Sequence, residues 1–316
     1  MLKSKTILVM SALATAIALS ACQPKQTDKK EEQAQSEAQV ETHALKLVGD
    51  TEELALNLPD CKGKSCPDLE IERLSSNQTF IDNVIDAQIL KILKETLTLA
   101  PAQEKEMQAS IAQESSSAVE TVQQTPKQKL EKQVEPFTKA FLSLDEEIKA
   151  LSANHQISMM IKPKILSSSE PLATVVLNSS NYLGGAHGSS SQEYFNFDLE
   201  TKKQVQLSDI VEPNKLKDLE AKSYEAFKAW VIESELSTDL KEYEQVWKFK
   251  LASNFNLGKN GLILQYGEYE IGPYVVGLPR LTIPYDQLNG ILKAKYLPEV
   301  ATKPASEVTT SDKEKK

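Results

Sequence analysis

The feature that most restricts the fold is the block spanning residues 156–199. It is rich in Ile, Val, Thr, Tyr and Phe, the residue types that suit a pleated, half-buried surface. Serine-rich breaks at residues 167–169 and 189–191 cut it into three runs of strand length. Three strands in close succession predict an antiparallel meander, because parallel neighbours need a crossover of a dozen residues or more.

Helical patterning lies outside that block. Ser75 and Gln78 have capping-box spacing, and Phe80, Ile81, Val84, Ile85, Ile89, Ile92 and Leu93 then recur at three and four. A second helix opens with Thr125 as N-cap, Pro126 at the first helical position and Gln128 behind it. Its apolar residues Leu130, Val134, Phe137, Phe141, Leu144, Ile148 and Leu151 fall alternately four and three apart. Such a seam suits a coiled coil, yet it covers only about three heptads and Pro136 interrupts it, so packing on the protein's own sheet is expected. Shorter β-rich runs at 43–48 and 69–74 read as strands. A turn at 198–203 leads through Val205 and Leu207 to a helix opening near Pro213, with Leu216, Leu219, Phe227, Trp230 and Val231 as its buried face. Strands resume at 247–257, turn at 258–261, continue through 262–266 and end with a short one at 280–284. Strands and helices are segregated rather than alternating, which predicts an α+β class: antiparallel sheets with helices packed on one face. Two closely associated halves are expected, residues 43–191 and 192–298.

The chain starts with Lys3 and Lys5 and then runs uncharged from residue 6 to 21. That is the plan of a signal peptide, and the apolar run is shorter than the roughly 20 residues a spanning helix needs. Leu19-Ser20-Ala21-Cys22 resembles the bacterial lipobox. Residues 1–21 are therefore expected to be removed and Cys22 to carry the acyl chains that hold the mature protein on a lipid bilayer. Residue 23 is Gln where the familiar inner-membrane retention signal would place Asp, which favours the outer membrane, with the protein facing the periplasm or the surface. Residues 22–42 hold almost no large apolar side chain and read as a flexible tether; residues 299–316 share that character and read as a disordered tail. The polar stretch 101–124 suits a loop or a marginal helix.

Cys61 and Cys66 remain as an even pair, which in an exported protein reads as a local disulfide. A metal centre needs about four ligands, whereas these thiols have only His43 and Asp60 or Asp68 as distant company. No metal and no cofactor is expected. A net charge of −9 argues against nucleic acid, which is held by clustered Lys and Arg.

Two stretches stand out. One is Asn181-Tyr182-Leu183-Gly184-Gly185-Ala186-His187-Gly188, followed by Phe195-Asn196-Phe197-Asp198-Leu199 and Leu207-Ser208-Asp209-Ile210-Val211. The other runs from Gly261 through Leu264, Tyr266, Tyr269-Glu270-Ile271-Gly272-Pro273-Tyr274 and Gly277 to Ile283-Pro284-Tyr285. Together they resemble the extracytoplasmic domain of RsiV-type anti-sigma factors and the accessory region of PdaC-type peptidoglycan deacetylases, over roughly residues 65–290. The resemblance implies a binding role, with lysozyme or peptidoglycan as partners. No spanning helix, cytoplasmic sigma-binding segment or deacetylase metal motif is visible, so signalling through a sigma factor is not expected.

Two groups of residues are candidates for ligand contact. Gly184, Gly185 and Gly188 around His187 let a partner approach the backbone closely, although a tight connection between two strands, with His187 capping or packing there, is the stronger explanation. Glu268, Tyr269, Glu270 and Tyr274 offer carboxylates and aromatic rings, although two carboxylates on one face of a strand are also what a solvated edge provides. His187 has no triad or metal partner in sequence, and no catalytic residue is assigned. The expected function is a non-catalytic binding module for a protein or cell-wall ligand. A structural or assembly lipoprotein, using the 130–151 seam, is the alternative, and a cell-wall hydrolase the third reading.

Overall fold

The computed structural model describes residues 45–63, 65–101, 103–105, 124–151 and 156–298. The signal peptide, Cys22, the tether, His43, His155, most of the 101–124 stretch and the tail lie outside them. The described residues fall in one compact unit.

Six strands make the larger sheet, in sequence order: β1 (Gly49–Glu53), β2 (Asp68–Ser76), β3 (Ser158–Ser167), β4 (Ala173–Tyr182), β5 (Ser189–Asp198) and β6 (Lys203–Val205). The meander β3-β4-β5-β6 is antiparallel as expected, and β1 pairs antiparallel with β2. However, β2 and β3 are parallel, with Leu69 opposite Met159 and Ile71 opposite Ile161. The sheet is therefore mixed rather than purely antiparallel. Among the described residues between β2 and β3 are the helices α1 (Thr79–Thr96) and α2 (Pro126–Ala150), which belong to the long crossover that a parallel pair requires.

Both helices bury their apolar stripe on one face of this sheet. Ile81, Ile85, Ile89 and Leu93 of α1, four apart, join Leu130, Val134, Phe137 and Phe141 of α2 in a single cluster. The strands contribute Leu69, Ile71, Met159, Ile161, Val175, Leu177, Phe195 and Phe197, the alternate positions that a pleated strand turns to one side. The α2 seam is thus used within the molecule. Its last residue, Leu151, is 80% exposed. Thr125 caps α2 in a full capping box with Gln128. Pro136 does not interrupt the helix, which runs unbroken through it with Pro136 buried. Packing of the surrounding apolar face offsets the lost backbone bond.

The remaining helices α3 (Leu207–Ile210), α4 (Leu216–Glu233) and α5 (Leu240–Val246) accompany a three-stranded antiparallel sheet of β7 (Phe255–Leu257), β8 (Gly261–Gln265) and β9 (Arg280–Pro284). Leu219, Phe227 and Val231 of α4 pack with Leu262, Leu264, Leu281 and Ile283 in a second cluster. Strand β5 serves both cores. Phe195 and Phe197 face the first, while the intervening Asn196, almost fully buried, donates to the Phe255 carbonyl at 2.8 Å and accepts from the Thr174 hydroxyl at 2.9 Å. The residue 191/192 border between the expected halves falls inside this strand.

Several expected boundaries shift. Residues 45–48 are irregular and β1 starts only at Gly49, although Leu47 is buried and its N–H reaches the Ser168 carbonyl at 2.7 Å. Ser75 and Gln78 form no capping box. Instead the Asp82 carboxylate accepts from the Ser76 hydroxyl and N–H, at 2.6 and 3.0 Å, and ties the first turn of α1 back to β2. Residues 189–191 belong to β5, and the break between β4 and β5 is the glycine-bearing segment 183–188. Leu216 is 46% exposed because it stands in the first turn of α4. Of 247–257 only Phe255–Leu257 is strand; ahead of it, α5 is capped by Asp239, which accepts from the Lys241 and Glu242 amides.

Candidate functional site

The two segments singled out in sequence meet in space. The first is the connection between β4 and β5, whose geometry is set by its glycines. Gly184 has φ +86°, and a Cβ there would sit 2.8 Å from Cδ1 of Ile148 on α2. At Gly188 a Cβ would meet the Asn181 carbonyl at 2.7 Å. Only glycine lets this hairpin close and rest against α2, and the closure presents His187 at its exposed tip.

The second segment follows β8. Residues 267–270 form a turn, not the strand edge expected for Glu268 and Glu270. The Glu270 carboxylate closes the turn by accepting from the Gly267 N–H at 2.6 Å and pairs with Lys250 at 2.8 Å. Tyr269 takes φ +61°, uncommon for a residue with a Cβ, and the strain turns its ring outward at 49% exposure. Beyond the buried Ile271 and Gly272, Pro273 leads into a short 3-10 turn, Tyr274–Val276.

Hydrogen bonds sew the segments together. Glu268 accepts from the Ser190 N–H at 2.9 Å and from the Ser189 hydroxyl at 3.1 Å, and the Tyr274 hydroxyl donates to the Gly188 carbonyl at 3.0 Å. His187 stacks on Tyr274 with ring centroids 4.0 Å apart and planes 25° from parallel. Its Nδ1 lies 3.0 Å from the Gly188 carbonyl, which can only accept. That geometry suits the tautomer with its proton on Nδ1, whose Nε2, 3.1 Å from the Tyr269 hydroxyl, is then the acceptor. Tyr269 in turn lies alongside Tyr274 and Trp247, with centroids 5.7 and 6.4 Å apart and planes within 28° and 26° of parallel.

The result is an aromatic shelf of His187, Tyr269, Tyr274 and Trp247 at the surface. Of the expected residues it gathers Gly184, His187, Glu268, Tyr269 and Tyr274. Gly185 lies in the same loop with open space beside it. Glu270 is directed away, into its own turn and Lys250. Trp247 escaped the sequence reading, since its run reads as one more strand and its partner Tyr269 is 22 residues on. Among the described residues neither nitrogen of His187 bonds a carboxylate, and no three His, Cys, Asp or Glu side chains are grouped to hold a metal ion. Elsewhere, Cys61 and Cys66 form the expected disulfide, with Cα atoms 5.7 Å apart.

A second polar cluster lies on the helix-free face of the larger sheet, in a concavity of about 550 Å³ lined among others by Asp50, Glu72, Lys162 and Asn178. Lys162 bridges Glu70 and Glu72. A hydrogen bond from Thr51, with help from Lys162, holds the Glu72 carboxyl below its ordinary range, and the bond to Glu70 raises the Lys162 ammonium. These groups satisfy one another.

Comparison with known proteins bears on this architecture. The family model described as "Protein of unknown function (DUF3298)" matches residues 208–286, the part that contains Trp247 and residues 268–274. A curated relative, the peptidoglycan-N-acetylmuramic acid deacetylase PdaC of Bacillus subtilis (strain 168), is 24% identical over 178 residues, covering 55% of this chain. The alignment spans 36% of PdaC, so this chain corresponds to only about a third of that protein. Crystal structures of two DUF3298 family proteins superpose on most of the chain. That from Pseudomonas aeruginosa PAO1 gives a TM-score of 0.52 at 23% identity, covering 80% of this chain and 95% of its own. That from Bacteroides fragilis NCTC 9343 gives 0.51 at 17%, covering 79% and 93%. The C-terminal part of the chain thus carries a DUF3298 match. The described residues have a mixed fold of two sheets and helices, and about four-fifths of the chain superposes on DUF3298 structures.

Proposed function

We propose that this protein is a lipid-anchored lipoprotein of the bacterial envelope that acts as a non-catalytic binding module, with the shelf between residues 184–190 and 268–274 as its contact surface. The observation that carries the reading is the convergence of both candidate segments on one aromatic cluster, in which His187 and Tyr269 are exposed and Tyr274 and Trp247 half-buried, pinned by the Glu268 and Tyr274 hydrogen bonds. Rigidly held Tyr and Trp rings that reach the surface supply contact area at little entropic cost, which is why binding surfaces favour them. A hydrolase finds less support: His187 faces a phenol and a backbone carbonyl, neither of which can activate it as a base. The assembly alternative loses its motive, because Leu130, Val134, Phe137 and Phe141 of the seam are spent on the protein's own core. The lipobox supports the anchor, and the resemblance to RsiV and PdaC supports lysozyme or peptidoglycan as the first ligands to try.

The test is a pull-down of detergent-solubilised full-length protein with lysozyme and with purified peptidoglycan, repeated with His187→Ala and Tyr274→Ala. Retention of at least one ligand by wild type, lost in variants that still melt cooperatively, supports the module. Failure to retain either ligand, or retention unchanged by both substitutions, overturns it. Labelling with a fatty-acid analogue that disappears in Cys22→Ser checks the anchor.

A further inference from the structure

Resting on the binding role just proposed, we infer that the shelf takes a glycan, with sugar rings laid against Tyr269 and Trp247 and their hydroxyls received by Glu268. Ring geometry is the first ground. The His187–Tyr274 pair, at 4.0 Å, is closed face to face and serves as the rigid backing. Tyr269 and Trp247 are different: near-parallel but with centroids 6.4 Å apart, they are displaced sideways, with Tyr269 49% exposed and Trp247 half-buried against the second core. A stepped strip of flat, electron-rich faces suits the C–H face of a pyranose, which is apolar, weakly positive and as flat as the ring beneath it.

Charge is the second ground. Carboxylates beside aromatic rings would suit a basic protein, but Lys250 neutralises Glu270, and Glu270 is further spent on the Gly267 amide. The remaining acid, Glu268, accepts one hydrogen bond at each oxygen, from Ser190 and Ser189. An ionised carboxylate has about four lone-pair sites, so roughly two are left for outside donors. These bonds hold it in place against the hairpin from which His187 projects. A fixed acceptor with spare capacity next to stacking faces matches a ligand that is flat on one side and rich in hydroxyl donors at its edge. Hydrogen bonds from hydroxyls to a carboxylate are short and strong, and would set the orientation that stacking alone leaves free.

The test titrates detergent-solubilised full-length protein with the β-1,4-linked N-acetylglucosamine hexamer and with peptidoglycan glycan strands stripped of their peptides. Binding is read by calorimetry and by the fluorescence of Trp247, with Trp230 as the only other tryptophan. Saturable binding to at least one glycan is expected. Tyr269→Ala and Trp247→Ala should each weaken it about ten-fold, the scale of one aromatic contact, while Tyr269→Phe, which keeps the ring, should stay within about three-fold. Glu268→Gln should weaken it about ten-fold, as expected for a lost charged hydrogen bond. No binding of either glycan, or a loss in Tyr269→Phe as large as in Tyr269→Ala, overturns the glycan assignment. If lysozyme alone is retained, and Tyr269→Ala abolishes that, the glycan assignment falls while the binding role stands. If neither glycans, whole peptidoglycan nor lysozyme bind, the binding role itself falls.

Discussion

Gly184 shows how one residue type fixes the position of a whole site. It combines a left-handed backbone with a 2.8 Å approach of its missing Cβ to Ile148, so Gly184→Ala meets both backbone strain and a side-chain clash. The substitution should cost about 1–3 kcal/mol and loosen the hairpin that carries His187. Urea melts would measure the stability, and the His187 ring proton shifts would report its stacking on Tyr274. Unchanged stability with unchanged shifts would refute the constraint. The glycines were legible in the sequence as a tight strand connection, which Gly184 and Gly188 do provide, and His187 as a candidate for contact beside them. The partners were not. Tyr269 meets His187 across 82 residues and Trp247 meets Tyr269 from an irregular segment, and no local pattern encodes such contacts. Glu268 and Glu270, two apart, read as one strand face, whereas the turn at Gly267 sends them to Ser190 and Lys250.

Among the elements, α2 was the most legible, since Thr125, Pro126 and Gln128 mark its start and the four-three spacing marks its buried face. Two separate terms maintain it. Thr125→Ala removes the side chain that receives the Gln128 amide and should cost about 1 kcal/mol. Phe141→Ala empties a fully buried position in the first core and should cost about 3–5 kcal/mol. Guanidinium unfolding of both variants checks the ranking; a cap loss equal to the core loss would contradict it. Pro136 misled the sequence reading because the helical penalty of proline is a local cost, and burial of the same face outweighs it. The parallel β2–β3 pair was hidden for a related reason. The alternation that marks a strand does not reveal its neighbour, and the crossover that dictates the pairing is the long connection 77–157 that carries α1 and α2. Conversely, β9 was read at its observed limits, since its short alternating run is bounded by Pro279 and Pro284.

At the scale of the molecule, two acids on the shared strand β5 set opposing pH responses. Burial raises the Glu193 carboxyl above its ordinary value; Lys91 lowers it in part, Glu95 adds to the rise, and Gln88 donates to it at 2.7 Å. Between the ordinary and the folded value its native state therefore holds a proton more often than the unfolded chain does. The stabilisation this gives is complete below the ordinary value of 4.5 and is lost as pH rises through the folded value. Asp198 behaves in the opposite sense. The Thr201 N–H, at 2.9 Å, is the main cause that holds its carboxyl below 3.8, with Lys295 assisting at 3.4 Å. Its contribution is present above that ordinary value and disappears as pH falls through the folded one. Glu193→Gln should therefore stabilise the protein near pH 7 by up to about 1 kcal/mol, the scale of one hydrogen bond, and flatten the decline in stability above pH 4.5. Asp198→Asn should destabilise by a similar amount near pH 7 and flatten the acid limb below pH 3.8. Urea midpoints measured every half pH unit between 2.5 and 8, in steps of about half a unit, separate the two. A Glu193→Gln curve parallel to wild type above pH 4.5 would show that this carboxyl is ionised in the native state as it is in the unfolded chain. Because β5 lines both cores, each effect should appear as a shift of one cooperative transition, not as the early loss of one half.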